Sequence, residues 1–268
     1  MIFDPYLAKW RLARDGEPIC TPSSNLLPVR RDGAPAMLKI AVVEEERRGA
    51  TVMSYYDGDG AARVLAHEGD ALLIERASGG ASLIEMARGG ADDLASGVIC
   101  TTIARLHVRR AHRAPPDLVH LRQWFRCLES AARNGGVLAR AFVAAQRLLA
   151  EPAEAIVLHG DIHHGNILYD KARGWLAIDP KGLLGDRAFD YANIFCNPDF
   201  AVATAPGRLQ RQAALVSHAA DIERERLLEW ILAYAGLSAS WMLAEGENTE
   251  LPLAVAEIAA AELGPHPQ

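Results

Sequence analysis

The stretch NILYDKARGWLAIDP, residues 166–180, constrains this chain more than any other. Two short apolar runs, Ile167 to Tyr169 and Trp175 to Ile178, flank DKARG, whose glycine supplies a turn, and the whole reads as a tight β-hairpin. Antiparallel pairing then sets the residue before the first strand beside the residue after the second. Those residues are Asn166 and Asp179, and Asp161 precedes Asn166 by five positions on HGDIHHGN, the loop leading in. An amide oxygen and two carboxylates are thereby drawn to one mouth of the hairpin. Hard oxygen donors of this kind suit magnesium, which takes one or two carboxylates together with phosphate oxygens.

His159, Asp161 and Asn166 fit the spacing H-x-D-x-x-x-x-N of a kinase catalytic loop, and Asp179 falls where a second magnesium-binding aspartate belongs. Phosphoryl transfer asks for these residue types. A carboxylate takes or orients the proton of the acceptor hydroxyl, and oxygen ligands hold a cation that offsets phosphate charge. Asp161 is the expected base, Asn166 and Asp179 the expected metal ligands, and His159 a support that holds the loop by hydrogen bonds. A kinase also needs a fixed cation over the phosphates. Lys39 in PAMLKIA sits alone in an apolar strand, followed by a helix that begins with Glu44, Glu45 and Glu46. An ion pair with Glu46, or next with Glu45, would fix its ammonium. By default a lone strand lysine is an edge or snorkelling residue, and it is the company of the catalytic loop that makes Lys39 functional. In TPSSNLLPVR, Ser23, Ser24 and Asn25 are expected phosphate donors in place of a glycine-rich loop. In LLIERAS, the backbones of Glu75 and Ala77 are expected to meet adenine.

The first third is punctuated like a sheet: NLLPVR, AMLKIA, AARVLA and ALLIERA are short apolar runs parted by RDGAP, DGDG and HEGD, with one helix from Glu44 to Tyr56. Beyond ASGGAS the apolar spacing turns helical, over Leu94 to His107, Leu118 to Arg133, Leu138 to Leu149, Ile222 to Leu243 and Leu253 to Leu263. The expectation is a small β-rich lobe over residues 1–77, a hinge near 75–80 and a larger helical lobe over 78–268, with a ligand-binding cleft between them. At 268 residues and 50% apolar composition, the chain can bury cores for both. A formal charge of −6 with no basic run argues against nucleic acid. Cys20, Cys100, Cys127 and Cys196 form no CxxC, as expected of reduced thiols rather than a disulfide frame or a zinc knuckle. No apolar leader opens MIFDPYLAKW, and no stretch is expected to supply the roughly 18 uncharged apolar residues of a membrane span. A soluble, cytoplasmic monomer is expected.

The blocks WRLARDGEP, LPVRRDGAPAMLKIA, DGDGAARVLA, ALLIERASG, LHGDIHHGNIL, GWLAIDPKGLLGDRAFDYANIFCNPD and GLSASW span nearly the whole chain. They resemble the aminoglycoside phosphotransferases, and among these the streptomycin 6-phosphotransferases most. The resemblance implies an α+β, protein-kinase-like two-lobe fold, ATP and Mg2+ as cofactors, and transfer of the γ-phosphate to the 6-hydroxyl on the streptidine ring of streptomycin, a resistance reaction. It also implies that Asp190 in FDYAN braces the catalytic loop. Asp179-Pro180-Lys181 stands where protein kinases carry Asp-Phe-Gly. The substrate would be a small cationic aminoglycoside. Past Arg226 the sequence has no lysine or arginine, but it has Glu229, Glu245, Glu247, Glu250, Glu257 and Glu262. Carboxylates engage guanidinium through paired hydrogen bonds, so Trp241, Glu245 and Glu247 are candidates for the substrate wall. His163 and His164 are expected to face solvent or substrate, Trp124, Trp175 and Trp230 to be core aromatics, and His107 to end a packed helix. Nothing in the catalytic loop separates streptomycin from another aminoglycoside, an amino sugar or hydroxyurea. A zinc metallohydrolase centred on the three loop histidines is the competing class, and it would leave Asn166 and Asp179 without a role.

Overall fold

The computed structural model describes residues 2–150 and 155–264. Strands β1 (Leu12–Arg14), β2 (Ile19–Cys20), β3 (Ser24–Arg31), β4 (Ala34–Ala41), β5 (Val64–Glu68) and β6 (Ala71–Glu75) build an antiparallel sheet in the order β1-β3-β4-β6-β5, with β2 against β3. Strand alternation sorts its side chains onto two faces. Leu27, Val29, Leu38, Ile40 and Leu73 close a small core with Phe3, against which Tyr6, Leu7 and Trp10 pack from the segment around the helix Asp4–Lys9. The other face turns Leu26, Met37, Lys39, Leu72 and Ile74 toward a cleft. Lys39 stands between Leu26 on β3 and Leu72 on β6, so its place in the apolar strand aims the ammonium into that cleft.

The helix Glu44–Tyr56 has the expected bounds, and its acidic first turn suits the positive end of the helix dipole. Glu46, Gly49, Ala50, Met53 and Tyr56 form its buried stripe at helical spacing. A Cβ on Gly49 would lie 2.3 Å from the carbonyl oxygen of Pro180, so the missing side chain lets the helix seat directly on Asp179-Pro180-Lys181.

In the helical part, β7 (Val119–His120), β8 (Ala155–Leu158), β9 (Ile167–Asp170), β10 (Gly174–Ala177) and β11 (Leu183–Asp186) interrupt the helices. β9 and β10 form the expected hairpin. Its register pairs Ala177 with Ile167, and the N–H of Ile178 donates to the carbonyl of Asn166 at 2.9 Å, so Asp179 sits one residue beyond the partner of Asn166. The hairpin is strapped to the segments around it: Ala62 and Gly60 bond Ala177 at 3.0 and 2.9 Å, and the N–H of Gly79 donates to the carbonyl of Tyr169 at 2.9 Å. The expected helix from Leu118 to Arg133 is instead broken. Val119 and His120 pair in parallel with β11, which is antiparallel to β8 on its other side, and separate helices cover Leu121–Trp124 and Arg126–Ala131. The helix Arg208–Ala220 lies outside the expected segments, its apolar face being diluted by Arg208, Gln210, Arg211 and Gln212.

The helix Arg224–Glu245 is the axis of this part, packed against Gly136–Ala150 and Glu250–Leu263. By length and composition alone it could cross a membrane, but as expected it offers no run of 18 uncharged residues, Glu229 and Glu245 bounding the uncharged stretch, and most of it is buried inside the fold. Its hydrophobicity serves the core: Trp230 is fully buried, with its ring 5.7 Å from Phe189 and 6.1 Å from Phe125.

Candidate active site

The HGDIHHGN loop is held from behind. Asp190 accepts the N–H groups of His159 and Gly160 at 2.9 and 2.8 Å, and a further bond of 2.8 Å joins it to Nε2 of His107, at the end of the helix Asp92–Leu106. Burial pushes the Asp190 carboxyl up, but the hydrogen bond from His107 and the amides outweigh it and hold it below the ordinary carboxylate range. The buried His159 ring accepts the Asp161 N–H on Nδ1 at 3.2 Å, which fixes the other nitrogen as donor to the carbonyl of Ile178 at 2.9 Å. These bonds couple the loop to the far end of the hairpin.

Asp161 is thereby fixed with both oxygens in use: Asn193 donates to Oδ1 at 3.0 Å and Asn166 to Oδ2 at 3.2 Å. Burial pushes its carboxyl up to about 7, with Lys181 opposing and Asp179 and Glu45 adding. Asn166 spends its amide nitrogen on Asp161, bonding the backbone carbonyl at 2.8 Å as well. Its Oδ1 accepts no hydrogen bond among the described residues. Asp179 turns off the hairpin in the left-handed region, at φ 66°. Burial raises its carboxyl too, but Lys39 and Lys181 beside it outweigh that and hold it below the ordinary range. Lys39 pairs with Asp179 and with Glu46, whereas Glu45 pairs with Lys181 at 3.2 Å.

Lys39, Glu46, Asn166 and Asp179 line one cleft of about 300 Å³, together with Ser23, Ser24, Glu75 and Ala77. Asn25, expected there as a phosphate donor, does not line it, because strand alternation on β3 gives the cleft to Ser24 and Leu26 and turns Asn25 to the opposite face. Thr21 lines it instead, and its hydroxyl closes the β2–β3 turn by accepting the Ser24 N–H at 3.0 Å. The side chain of Glu75 points away to Arg173 and the N–H of Arg63. At the cleft's inner end, Asn166 and Asp179 supply a hard, two-residue oxygen set. It fits magnesium, which keeps waters and phosphate oxygens in its remaining positions. A zinc centre needs three or four converging ligands, and no such group occurs among the described residues.

Asp161 does not line that cleft. It lies on the wall of a second cavity of about 520 Å³, beside Lys181, Glu45, Trp241, Glu245 and Glu247. Trp124 is there as well, edge-on to Trp241 at 5.4 Å; it packs against the core as expected and also forms part of this wall. His163 borders a smaller recess on the other side of Asp161 and accepts the Gly165 N–H at 3.0 Å. Burial pushes its ring down to about 4, so it is neutral at neutral pH. His164 corrects the expectation for the loop histidines. It is 2% exposed and turned into the interior toward Arg208 and Asp92, where burial pushes it down to about 4 as well. The site residues missed in the sequence are Lys181, Asn193, Thr21, Trp124 and His107. Only Asn193 carried a local signal, since it lies one helical turn after Asp190 and so shares its face.

The sequence profile of the aminoglycoside/hydroxyurea antibiotic resistance kinases matches residues 9–246. The chain belongs to this kinase family. Among relatives of this kinase, a streptomycin 3″-kinase of Klebsiella pneumoniae is 48% identical over 245 residues, covering 90% of this chain and 92% of that protein. A streptomycin 6-kinase of Streptomyces griseus is 31% identical over 275 residues, covering 94% of this chain and 86% of that protein. The kinase superposes on the crystal structure of a thermostable mutant of aminoglycoside phosphotransferase APH(4)-Ia, in ternary complex with AMP-PNP and hygromycin B, with a TM-score of 0.67 at 14% identity over 98% of this chain and 99% of that one. The fold of this resistance kinase is therefore the protein-kinase-like α+β fold, a β-sheet region at the N-terminal end and a helical part beyond it.

Proposed function

We propose that this kinase transfers the γ-phosphate of ATP to a hydroxyl of streptomycin. The observation that carries the reading is the position of Asp161: it lies on the second cavity, bonded to Asn166, which lines the cleft with Lys39 and Asp179. One group therefore faces the acceptor while its neighbours face the nucleotide. Identity of 48% over 90% of the chain supports streptomycin as acceptor, and favours the 3″ position over the 6-hydroxyl that the sequence blocks suggested.

In this reading residues 75–80 form the hinge, with Glu75 and Ala77 offering backbone groups to adenine. Ser23 and Ser24 cap the phosphates, and Lys39, fixed by Glu46, holds them. Bound magnesium would offset phosphate charge, held by Asn166 and Asp179. Asp161 orients the acceptor hydroxyl and takes its proton, a role for which the bonds from Asn166 and Asn193 hold its carboxylate in place. Trp241, Trp124, Glu245 and Glu247 receive the cationic drug, carboxylates pairing its guanidinium groups. His159 and Asp190 keep the loop in place. A cytoplasmic site of action belongs to the proposal, since ATP is the donor.

Incubating the purified protein with ATP, magnesium and streptomycin, and mapping the product by phosphorus and proton NMR, tests it. ADP release in step with drug and phosphate at the 3″ position are expected. No turnover above the drug-free rate rejects the acceptor, and phosphate at the 6 position rejects the regiochemistry. Lys39→Ala is expected to weaken nucleotide binding by about 10- to 100-fold, the worth of a lost charge-assisted bond, and to slow turnover as well. Calorimetry showing unaltered ATP affinity would remove Lys39 from the phosphate site. Gly49→Ala is expected to push Pro180 off the helix and slow turnover by on the order of 10²-fold through misplacement of Asp179. Unchanged steady-state kinetics would mean that this seat is not held tightly.

A further inference from the structure

We propose that Lys181 is a catalytic residue, whose ammonium grips the phosphoryl group as it passes from nucleotide to acceptor. The inference rests on the kinase reading above, but not on the identity of the acceptor. Nζ of Lys181 lies 3.8 Å from Asp161 Oδ2, 3.8 Å from Asp179 Oδ2, 3.2 Å from Glu45 Oε1 and 3.9 Å from Glu46 Oε1. It thus stands between the group that takes the hydroxyl proton and the carboxylate at the metal position. Its backbone is fixed by a 2.7 Å bond from its N–H to the carbonyl of His159, so the stem springs from the braced catalytic loop itself. Lys181 lines the acceptor cavity and Lys39 lines the nucleotide cleft, and the carboxylates between them touch one or both.

The chemistry asks for a cation at this place. The acceptor oxygen forms a bond to the γ-phosphorus while the bond from that phosphorus to the β,γ-bridging oxygen breaks. The hydroxyl proton passes to Asp161, and ADP departs with the electron pair of the broken bond. The group in flight carries negative charge on three oxygens and must pass between Asp179 and Asp161, two carboxylates that repel it. Lys39, beyond Asp179, stays with the nucleotide. Among the described residues Lys181 is the one ammonium that reaches both Asp161 and Asp179, and cations aimed where charge moves are the chief source of rate in such transfers. Glu45, on the rim, holds it in the resting state. The competing view makes Lys181 a counter-ion that only relaxes repulsion among the carboxylates.

Lys181→Met and Lys181→Arg in the full chain separate the two. AMP-PNP carries the γ-phosphoryl group and ADP lacks it, so binding of each in magnesium buffer is measured by calorimetry, with melting temperature as the check on folding. The methionine variant is expected to weaken AMP-PNP by about tenfold or more, with ADP nearly unchanged. Its kcat is expected to fall by on the order of 10²-fold, with KM for the acceptor nearly unchanged. The arginine variant should recover most of the AMP-PNP affinity. Equal losses for both nucleotides, or no loss, overturn the proposal in favour of the counter-ion. A wild type that binds both nucleotides but leaves streptomycin unmodified refutes only the acceptor, and Lys181 is still judged by the AMP-PNP to ADP ratio. A wild type that binds neither nucleotide overturns both readings.

Discussion

Asp161→Asn is expected to cut turnover by on the order of 10²- to 10⁴-fold, the usual worth of a positioned general base, and to leave nucleotide affinity intact. Asparagine keeps the shape, and one oxygen remains to accept from Asn193, now at 3.0 Å. Asp161 lines the second cavity and not the cleft of Lys39 and Asp179, so under the proposed function single-turnover rates should collapse while ATP titrations do not. A large loss of ATP affinity would make it a ligand instead of a base. The pH profile gives a second check. Only the ionised carboxyl accepts a proton, so kcat/KM of the wild type should fall as pH drops through the pKa of Asp161, about 7 in the structure and lower once a divalent cation sits nearby. That limb should vanish in the variant. Stability should move the other way. The folded pKa lies above the ordinary carboxylate value of 3.8, so the folded state binds more protons than the unfolded chain between those values and loses stability as pH rises through them. The wild type carries that cost in full above pH 7, and the melting temperature of Asp161→Asn there should equal or exceed it.

Asp92→Ala is expected to cost about 3–5 kcal/mol of folding stability. Arg208 is 1% exposed and bonds Asp92 through Nε at 2.8 Å and Nη2 at 3.0 Å, and Gln212 adds 2.7 Å to the same carboxylate. The pair ties the helix Asp92–Leu106 to the helix Arg208–Ala220. Removing the carboxylate strands a buried guanidinium, whereas Asp92→Leu with Arg208→Met removes both charges and should recover most of the loss. Urea unfolding of the single and double variants measures this, against a total that for a domain is roughly 5–15 kcal/mol. A loss under about 1 kcal/mol in the single variant would place water on the arginine. Burial raises the Asp92 carboxyl, but Arg208 outweighs it and the folded pKa is depressed. Its stabilisation is therefore present above the ordinary carboxylate range and lost as pH falls through the lower, folded value.

Features governed by short-range periodicity were legible in the sequence. The hairpin, the helix Glu44–Tyr56 and the aim of Lys39 follow from alternation, helical spacing and a turn, all contained within a few residues. Features set by distant partners were not. His164 looked like its neighbour His163, and only the packing of Arg208 and Asp92 around it decides that one ring lies inside. Val119 and His120 read as part of a helix because their strand exists only when β11 arrives from more than sixty residues away. Asn25 was misplaced by one step of strand parity, which depends on the register between β3 and β4. Lys181 was visible as a letter but not as a site residue, since its position is set by the turn at Asp179 and by the glycine in the helix above.

The long helix Arg224–Glu245 is divided along its length. From Leu227 to Leu237 it is locked into the interior, while Trp241, Met242 and the exposed Glu245 emerge at its tail, with Glu247 just past it. Exchanges at the exposed Glu245 and Glu247 disturb little packing, because exposed positions tolerate substitution at small cost. Under the proposed function these residues meet the drug, so its range can drift by few genetic steps while the hairpin and sheet are left untouched.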